Sequence, residues 1–540
     1  MHRAAFLWLV ASLAILAGTG AHADEPPRPF PPPAPPVQAQ DIDVQALLQR
    51  LEQAESRIRT LERLQSPTTP DADPPPPAFT ASSESAARVS VNPAAEPSAP
   101  DFVFLDESPN DGLAESLKAL QARQDELDEQ NKNLADTLSK GFVIPGTSNA
   151  TVRLSGRIHA DYWAYSNDDT AIREFEGMDP QDRFSFRRVR MGVDGKIRDN
   201  MIYKIEMEFA EASEPAHKDT YIGFTDLPLL QQVQLGIQKR PYGLDHLNSS
   251  RYNIFMERPF IIEAFNQDTR RLGLVSYGVS ENEAWNWRYG VYNLEDPQTT
   301  AGYFSDHYQL EFAGRLANAY WYDETSDGRG YAHWAISGTV ASPDGDGGPL
   351  NSNEARFRTR PEARTEERWL NTGRIAHARR YELLGVEKVI NVGPWQFVAE
   401  YQNVWLQRAG AREDLFFLGG YAYLAYMLTG EHVPWERDSG TIGRVKPFEN
   451  FFLVETGDGR HGGGWGAWQV ALRYSHADLT NADILGGVGD SITFGLNWYW
   501  NPNARLQFNY LHGWITDHEP VNGQTEGEYD IIGARAMVDF

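Results

Sequence analysis

Cysteine is absent from the 540 residues, which removes disulfide frameworks, thiolate metal sites, cysteine nucleophiles and a lipid anchor at a cleavage site. Beyond the first two dozen residues there is no run of ~18 consecutive apolar residues, so no helix is expected to cross a bilayer. Tryptophan and tyrosine do not occur between residues 24 and 140, and a stretch rich instead in proline, alanine, glutamine and acid builds no compact core. Positive charge is scarce: 49 lysines and arginines face 75 acids, a formal net charge of -26. That balance argues against nucleic acid as a partner, because a phosphate backbone wants a basic face. A GxSxG elbow, an HExxH pair, a P-loop and an EF-hand loop are all missing, so no enzyme activity and no cofactor or metal site is expected.

What is present divides the chain. His2 and Arg3 precede the apolar run Ala4 to Ala17, and Ala21-His22-Ala23 follows; residues 1–23 therefore read as an export signal cleaved before Asp24. Residues 24–40 and 66–110 carry proline runs such as Pro74-Pro75-Pro76-Pro77 and read as extended, solvated linkers. Residues 41–65 space apolar residues at 3-4 intervals through Val44, Leu47, Leu51, Ala54, Ile58 and Leu61, a short coiled-coil seam. A second coiled coil is expected over 111–140, with Leu113, Leu120, Leu127 and Leu134 in one heptad row and Leu117, Gln124, Asn131 and Leu138 in the other. The polar Gln124 and Asn131 suit a role in setting register or oligomer state.

From Thr151 the period changes from 3.5 to 2. Val152, Leu154, Gly156, Ile158 and Ala160 alternate with Arg153, Ser155, Arg157, His159 and Asp161; Val189, Met191 and Val193 alternate with Arg188, Arg190 and Asp194; Ile205, Met207 and Phe209 alternate with Lys204, Glu206 and Glu208. One greasy and one polar face, with Trp285, Trp287, Tyr289, Trp468, Tyr474, Trp498, Trp500 and Trp514 on the apolar face near strand ends, suits a barrel with aromatic girdles at a bilayer interface. The fold class expected is all-β: a transmembrane antiparallel barrel over 150–540, following the N-terminal coiled-coil and Pro-rich region.

Turn signals predict about sixteen strands, an even number as bacterial barrels require. They fall near 150–165, 184–198, 201–212, 218–226, 231–239, 269–279, 285–293, 306–316, 331–341, 378–391, 395–408, 415–428, 465–479, 489–501, 503–516 and 528–540. Short turns such as Arg198-Asp199-Asn200 and Asn501-Pro502 alternate with long loops at 166–183, 240–268 and 342–377, the pattern of short periplasmic and long external connections. Residues 429–464 break it by being long on the turn side, which requires a hidden strand or a segment folded against the barrel. The final stripe Ile532, Ala534, Ala536, Val538, Phe540 matches the aromatic ends that barrel-assembly machinery reads.

The run Arg187-Arg188-Val189-Arg190-Met191-Gly192-Val193-Asp194-Gly195-Lys196 resembles the arginine-rich strand of the phosphate-selective porins O and P. Gln238-Lys239-Arg240-Pro241-Tyr242-Gly243-Leu244, Ser249-Ser250-Arg251, Phe255-Met256-Glu257-Arg258 and Arg270-Arg271-Leu272-Gly273 are similar to that family's third-loop region. Gly443-Arg444-Val445-Lys446-Pro447, Gly464-Trp465-Gly466-Ala467-Trp468 and Asn497-Trp498-Tyr499-Trp500-Asn501-Pro502 complete the ordered series. The resemblance implies a homotrimer of sixteen-stranded outer-membrane barrels, each conducting phosphate or related small anions through a basic eyelet. It carries that role onto Arg187, Arg188, Lys239, Arg251, Arg258, Arg270 and Arg271.

Strand parity separately points Arg188 and Arg190 inward and gives Arg187 the wrong face unless a bulge intervenes. Arg240 stands where the family often has a small polar residue and joins the set of basic candidates, while Glu206 and Glu208 weigh against simple anion selectivity. The same arginines could instead pair with Glu206, Glu208, Glu257 and Asp245 and merely brace the loop; Glu257 in particular reads as a brace. A general porin, or a tether in which the N-terminal region holds peptidoglycan and the barrel is its anchor in outer-membrane lipid, are the other functions considered.

Overall fold

Alternation of apolar and polar residues leaves each strand with one face that needs lipid or a core and one that tolerates water. In a computed structural model sixteen such strands close on themselves. The structure describes residue 123, residues 142–143 and residues 150–540 apart from 167–168, 211–214, 267–269, 298–307, 345–352 and 455–459. The export signal, the linkers and both expected coiled coils lie outside the described residues.

The strands are β1 (Thr151–Ser166), β2 (Arg183–Ile197), β3 (Met201–Glu208), β4 (Ala216–Leu227), β5 (Gln231–Lys239), β6 (Arg270–Val279), β7 (Trp285–Asn293) and β8 (Leu310–Tyr322), then β9 (Gly330–Ala341), β10 (Ala378–Val392), β11 (Trp395–Arg408), β12 (Leu415–Met427), β13 (Ala467–Asn481), β14 (Ile484–Asn501), β15 (Ala504–His518) and β16 (Gly527–Asp539). Each pairs antiparallel with its neighbours in sequence, and β16 pairs with β1 from Arg157↔Asp539 to Ser166↔Asp530. Closure leaves no unpaired edge, the condition for strands to sit in lipid. All sixteen predicted strands are present in order. The fourteenth starts earlier than expected: Ala482 and Asp483 form a two-residue turn and the hairpin zips from Asn481↔Ile484.

The outward face is apolar and exposed: Leu154, Ile158, Phe184, Met191, Ile205, Ile222, Leu235 and Leu274 line one side, Leu424, Leu472, Phe494 and Ile532 the other. The inward faces differ around the barrel. On β1 to β6 they are charged or amide-bearing, but on β10 to β13 they carry Leu383, Val389, Val398, Val404, Leu406, Phe417, Ala471 and Ala477, all buried. These inward apolar residues are buried because three inserted segments fill that half of the lumen, and they are interspersed with buried polar groups such as Glu387, Glu400, Gln402 and Arg473. The loop after β5 contains helices α1 (Leu244–Leu247) and α2 (Phe260–Asn266). The loop after β9 buries Phe357, Trp369 and Leu370, with Phe357 ringed by Phe265, Tyr381 and Phe417. From the opposite end, residues 429–446 enter as a small hairpin, Trp435–Glu436 against Thr441–Ile442.

That hairpin answers the anomaly in loop lengths: its first half folds inside the barrel. Trp435 stacks on Tyr331 and packs at a tilt against His333, Tyr331 donates to the Val433 carbonyl, and Arg288 donates to the Ser439 carbonyl. Its Ile442 N–H reaches Asn248 Oδ1 of the β5–β6 loop at 3.0 Å, so the inserts from the two ends meet.

The seam between first and last strands depends on one small residue. Gly156 exchanges two main-chain hydrogen bonds with Phe540 at 3.0 and 3.1 Å, and the Phe540 ring lies where a Cβ on residue 156 would go, 2.4 Å from its nearest carbon. Gly156→Val is expected to force the terminal ring away, costing about 1–3 kcal/mol as overpacking does. Heat-modifiable gel mobility should show the folded band converting at lower temperature; an unchanged transition would show that the seam does not rely on this packing.

Candidate functional site

The wall of β1 to β6 and the inserts enclose a cavity of about 1220 Å³. Its sides are strongly basic: fifteen arginines and lysines line it against eight carboxylates. The local field therefore has the opposite sign to the chain as a whole, and an ion in the lumen feels the local groups.

Two irregularities in the ladder concentrate charge there. β1 pairs His159 with Arg188 and Ala160 with Phe186, so Arg187 is an extra, bulged residue. The bulge lets consecutive residues Arg187 and Arg188 both face the cavity, which regular alternation forbids. A second irregularity, between the Ile205↔Thr220 and Met207↔His217 pairs, does the same for Lys218 and Asp219.

Around this wall the cations share too few acids. Glu206 takes Arg157 at 2.5 Å and stands 3.9 Å from Arg190 and 3.8 Å from Arg270. Arg190 also pairs with Glu208, and Arg270 with Asp219, which Lys204 approaches at 3.4 Å. Each carboxylate thus holds cations in place without cancelling them. Arg188 has no such anchor: it is buried, faces the cavity, forms no ion pair among the described residues, and leaves Nε and Nη1 without a hydrogen-bond partner. A buried guanidinium without acceptors is costly unless an anion or water supplies them.

The β5–β6 loop brings the remaining groups. Gly243, at φ 80, turns the chain into α1 where a Cβ would meet Gln402 Nε2 at 2.8 Å. Both oxygens of Glu400 accept from the Leu244 and Asp245 N–H groups at 2.8 and 2.7 Å, capping the helix start. At its other end Lys239 donates to the Leu247 and Asn248 carbonyls, both at 2.9 Å, and Arg258 to the Asp245 and Asn248 carbonyls at 2.8 and 3.2 Å. Neither cation spends its charge on a carboxylate in these contacts. Ser250 accepts from Arg157 at 2.8 Å, and Arg251 pairs with Asp539.

Glu257 fastens the loop to the wall, taking Arg187 at 2.7 Å and Arg535 at 2.8 Å. Asp245 makes no ion pair among the described residues, and burial pushes its carboxyl up. Bracing and field-making are therefore divided among the arginines. Of the nine basic residues singled out in the sequence, Arg187, Arg188, Arg190, Lys239, Arg251, Arg258 and Arg270 line the cavity. Arg240 and Arg271 do not. Arg240 is buried behind the loop, pairing with Glu311 at 3.0 Å, donating to the Asn266 carbonyl and packed over Tyr242; Arg271 donates to the Arg270 carbonyl and lies 3.9 Å from Asp296. Both sit at the ends of the loop and hold its stems, a placement that motif order cannot distinguish from a pore-facing one.

Several lining residues escaped the sequence reading. Arg157 was legible from parity alone, being on the polar face of β1. Lys218 was hidden by its bulge. Arg360, Arg364 and Arg368 come from the β9–β10 loop, where only the density of basic residues hinted at a role. Positive charge is crowded there: the Arg364 guanidinium is pushed down to about 10, first by neighbouring Arg187 and then by burial.

A family model described as phosphate-selective porin O and P matches residues 152–540. Porin O of Pseudomonas aeruginosa is 24% identical over 417 residues, covering 70% of this chain and 86% of that protein. An uncharacterised protein of Caulobacter vibrioides is 27% identical over 369 residues, covering 66% of this chain and 68% of its own length. Among solved structures, an anion-selective porin from Comamonas acidovorans aligns over 72% of this chain and 99% of its own, at 12% identity and a TM-score of 0.43. With its closed sixteen-stranded barrel and a family match running from the second residue of β1 to the last residue, the chain belongs to the phosphate-selective porin O and P family of outer-membrane porins.

Proposed function

We propose that this porin passes small anions, with a preference for phosphate or polyphosphate, through the basic cavity on the β1–β6 wall. The observation that carries the reading is the surplus of lumenal cations over carboxylates in a chain whose net charge is -26. Arg188 supplies guanidinium donors without a protein partner, and flanking Arg187, Arg190, Lys239, Arg251, Arg258 and Arg270 extend the field along the path. A dehydrating phosphate exchanges water for charge-assisted hydrogen bonds, and several moderate sites conduct better than one tight one because the ion must also leave. Arg240 and Arg271, held outside the cavity, are assigned to the loop stems.

The heptads at 111–140 favour a homotrimer with the N-terminal region in the periplasm, where the linkers also suit an attachment to peptidoglycan. Removing residues 24–140 should separate these roles: loss of trimers on native gels makes the heptads an assembly device, and intact trimers with lost cell-wall association make them a tether.

Single channels in a potassium chloride gradient should show a reversal potential of anion sign, and added phosphate should reduce the chloride current. Cation preference together with no phosphate block would sink the reading. Arg188→Ala should weaken phosphate block about tenfold or more, the effect of losing hydrogen bonds to a charged group. Glu206→Gln gives a sharper test, because it adds net positive charge yet releases Arg157, Arg190 and Arg270. If Glu206 positions them, phosphate block weakens in the variant; stronger block would mean that the carboxylate acts only as a counter-charge.

A further inference from the structure

The second half of the turn-side segment does not enter the lumen. After Pro447 the chain crosses to the outer surface of β13 and β14. There Phe451 is buried against Trp498 and Trp500, with ring centroids 4.7 and 6.0 Å away. Main-chain bonds fix it: the Phe451 N–H donates to the Trp500 carbonyl at 2.7 Å, Phe452 N–H to the Gly464 carbonyl at 3.0 Å, and Gly464 N–H to the Asn450 carbonyl at 3.0 Å. The indole of Trp498, stacked on Trp468 at 4.9 Å, donates to the Trp465 carbonyl at 2.7 Å.

This well-bonded backbone presents large apolar side chains outward. Phe448 is 65% exposed, Phe452 51%, Leu453 69% and Trp465 75%. Soluble surfaces rarely group such side chains, and here the group continues a belt on the same rim of the barrel, where Trp395 packs on Tyr426 at 4.4 Å and Leu428 is exposed beside them. Satisfied main chain with outward tryptophan, phenylalanine and leucine is what the headgroup region of a bilayer accepts.

We propose that residues 447–454 and 460–466 form an interfacial foot, seated in the periplasmic leaflet and held by a side-on contact with phospholipid. The foot widens the barrel's footprint below β13 and β14, so a single turn-side segment narrows the lumen with its first half and grips the membrane with its second. This assignment rests on the barrel spanning a bilayer and is independent of which ion passes.

The absence of cysteine makes the test direct. Leu453→Cys in the full chain, labelled with an environment-sensitive fluorophore and reconstituted into phosphatidylethanolamine–phosphatidylglycerol vesicles, should show blue-shifted emission that doxyl-labelled phospholipid quenches. No response to doxyl lipid overturns the proposal, whether iodide reaches the label, which would place it in water, or the label is shielded from both, which would place a second copy of the chain over it. Phe452→Ser/Leu453→Ser should leave single-channel conductance unchanged while lowering the temperature at which the vesicle-embedded barrel unfolds. A conductance change with unaltered thermal resistance would put the segment in the channel rather than in the membrane.

Discussion

Glu257 sits between Arg187 on β2 and Arg535 on β16, and so ties the inserted β5–β6 loop across the seam where the barrel closes. A ring of sixteen strands encloses more space than its own side chains can fill, so its use as a selective passage depends on what is folded inside and how it is held. On the β10–β13 side apolar packing does this together with buried polar contacts such as Glu400 with α1 and Arg473 with Glu362, whereas on the β1–β6 side the inserts meet a charged wall and are held by ion pairs and hydrogen bonds. Breaking a buried pair from one side costs about 3–5 kcal/mol, because the other charge is left uncompensated. The loop position, and with it Lys239, Arg251 and Arg258, follows from a few such contacts.

The acids of β3, which in the sequence weigh against an anion path, take a different meaning beside their neighbours. Glu206 touches three guanidinium groups and Glu208 one, and the cavity they help to shape still has nearly twice as many cations as carboxylates. A carboxylate shared in this way lowers the repulsion among arginines enough for them to stand side by side, while the uncompensated remainder sets the field. The bulge at Arg187 serves the same end, since alternation would send every second residue of an arginine run into lipid.

Inward and outward faces were legible from period-2 patterning over most of the barrel, and so were strand order, the parity of Arg188 and Arg190, and the misfit of residues 429–464. Patterning was least informative on β10 to β13, where apolar residues stand on the inner face as well as the outer. There the inner face packs in one core with Phe255, Phe260, Phe357 and Leu370 from the two inserted loops, and no local rule distinguishes a strand buried by protein from one facing lipid on both sides.

Composition and spacing by themselves determined that no segment after Asp24 is long and apolar enough for a helix to cross a membrane, that alternating strands make the barrel, and that basic residues gather in the β2 run and the β5–β6 loop; these depend on side-chain period and on local turn chemistry. Beyond Arg188 and Arg190, only the tertiary structure decided which of those cations face the cavity. A one-residue bulge brings Arg187 in, loop closure takes Arg240 and Arg271 out, and a distant loop contributes Arg360, Arg364 and Arg368. The reason is physical: orientation at a bulge or in a folded loop depends on partners brought together from across the barrel, such as Glu257 and Glu311, and spacing along one strand does not encode them.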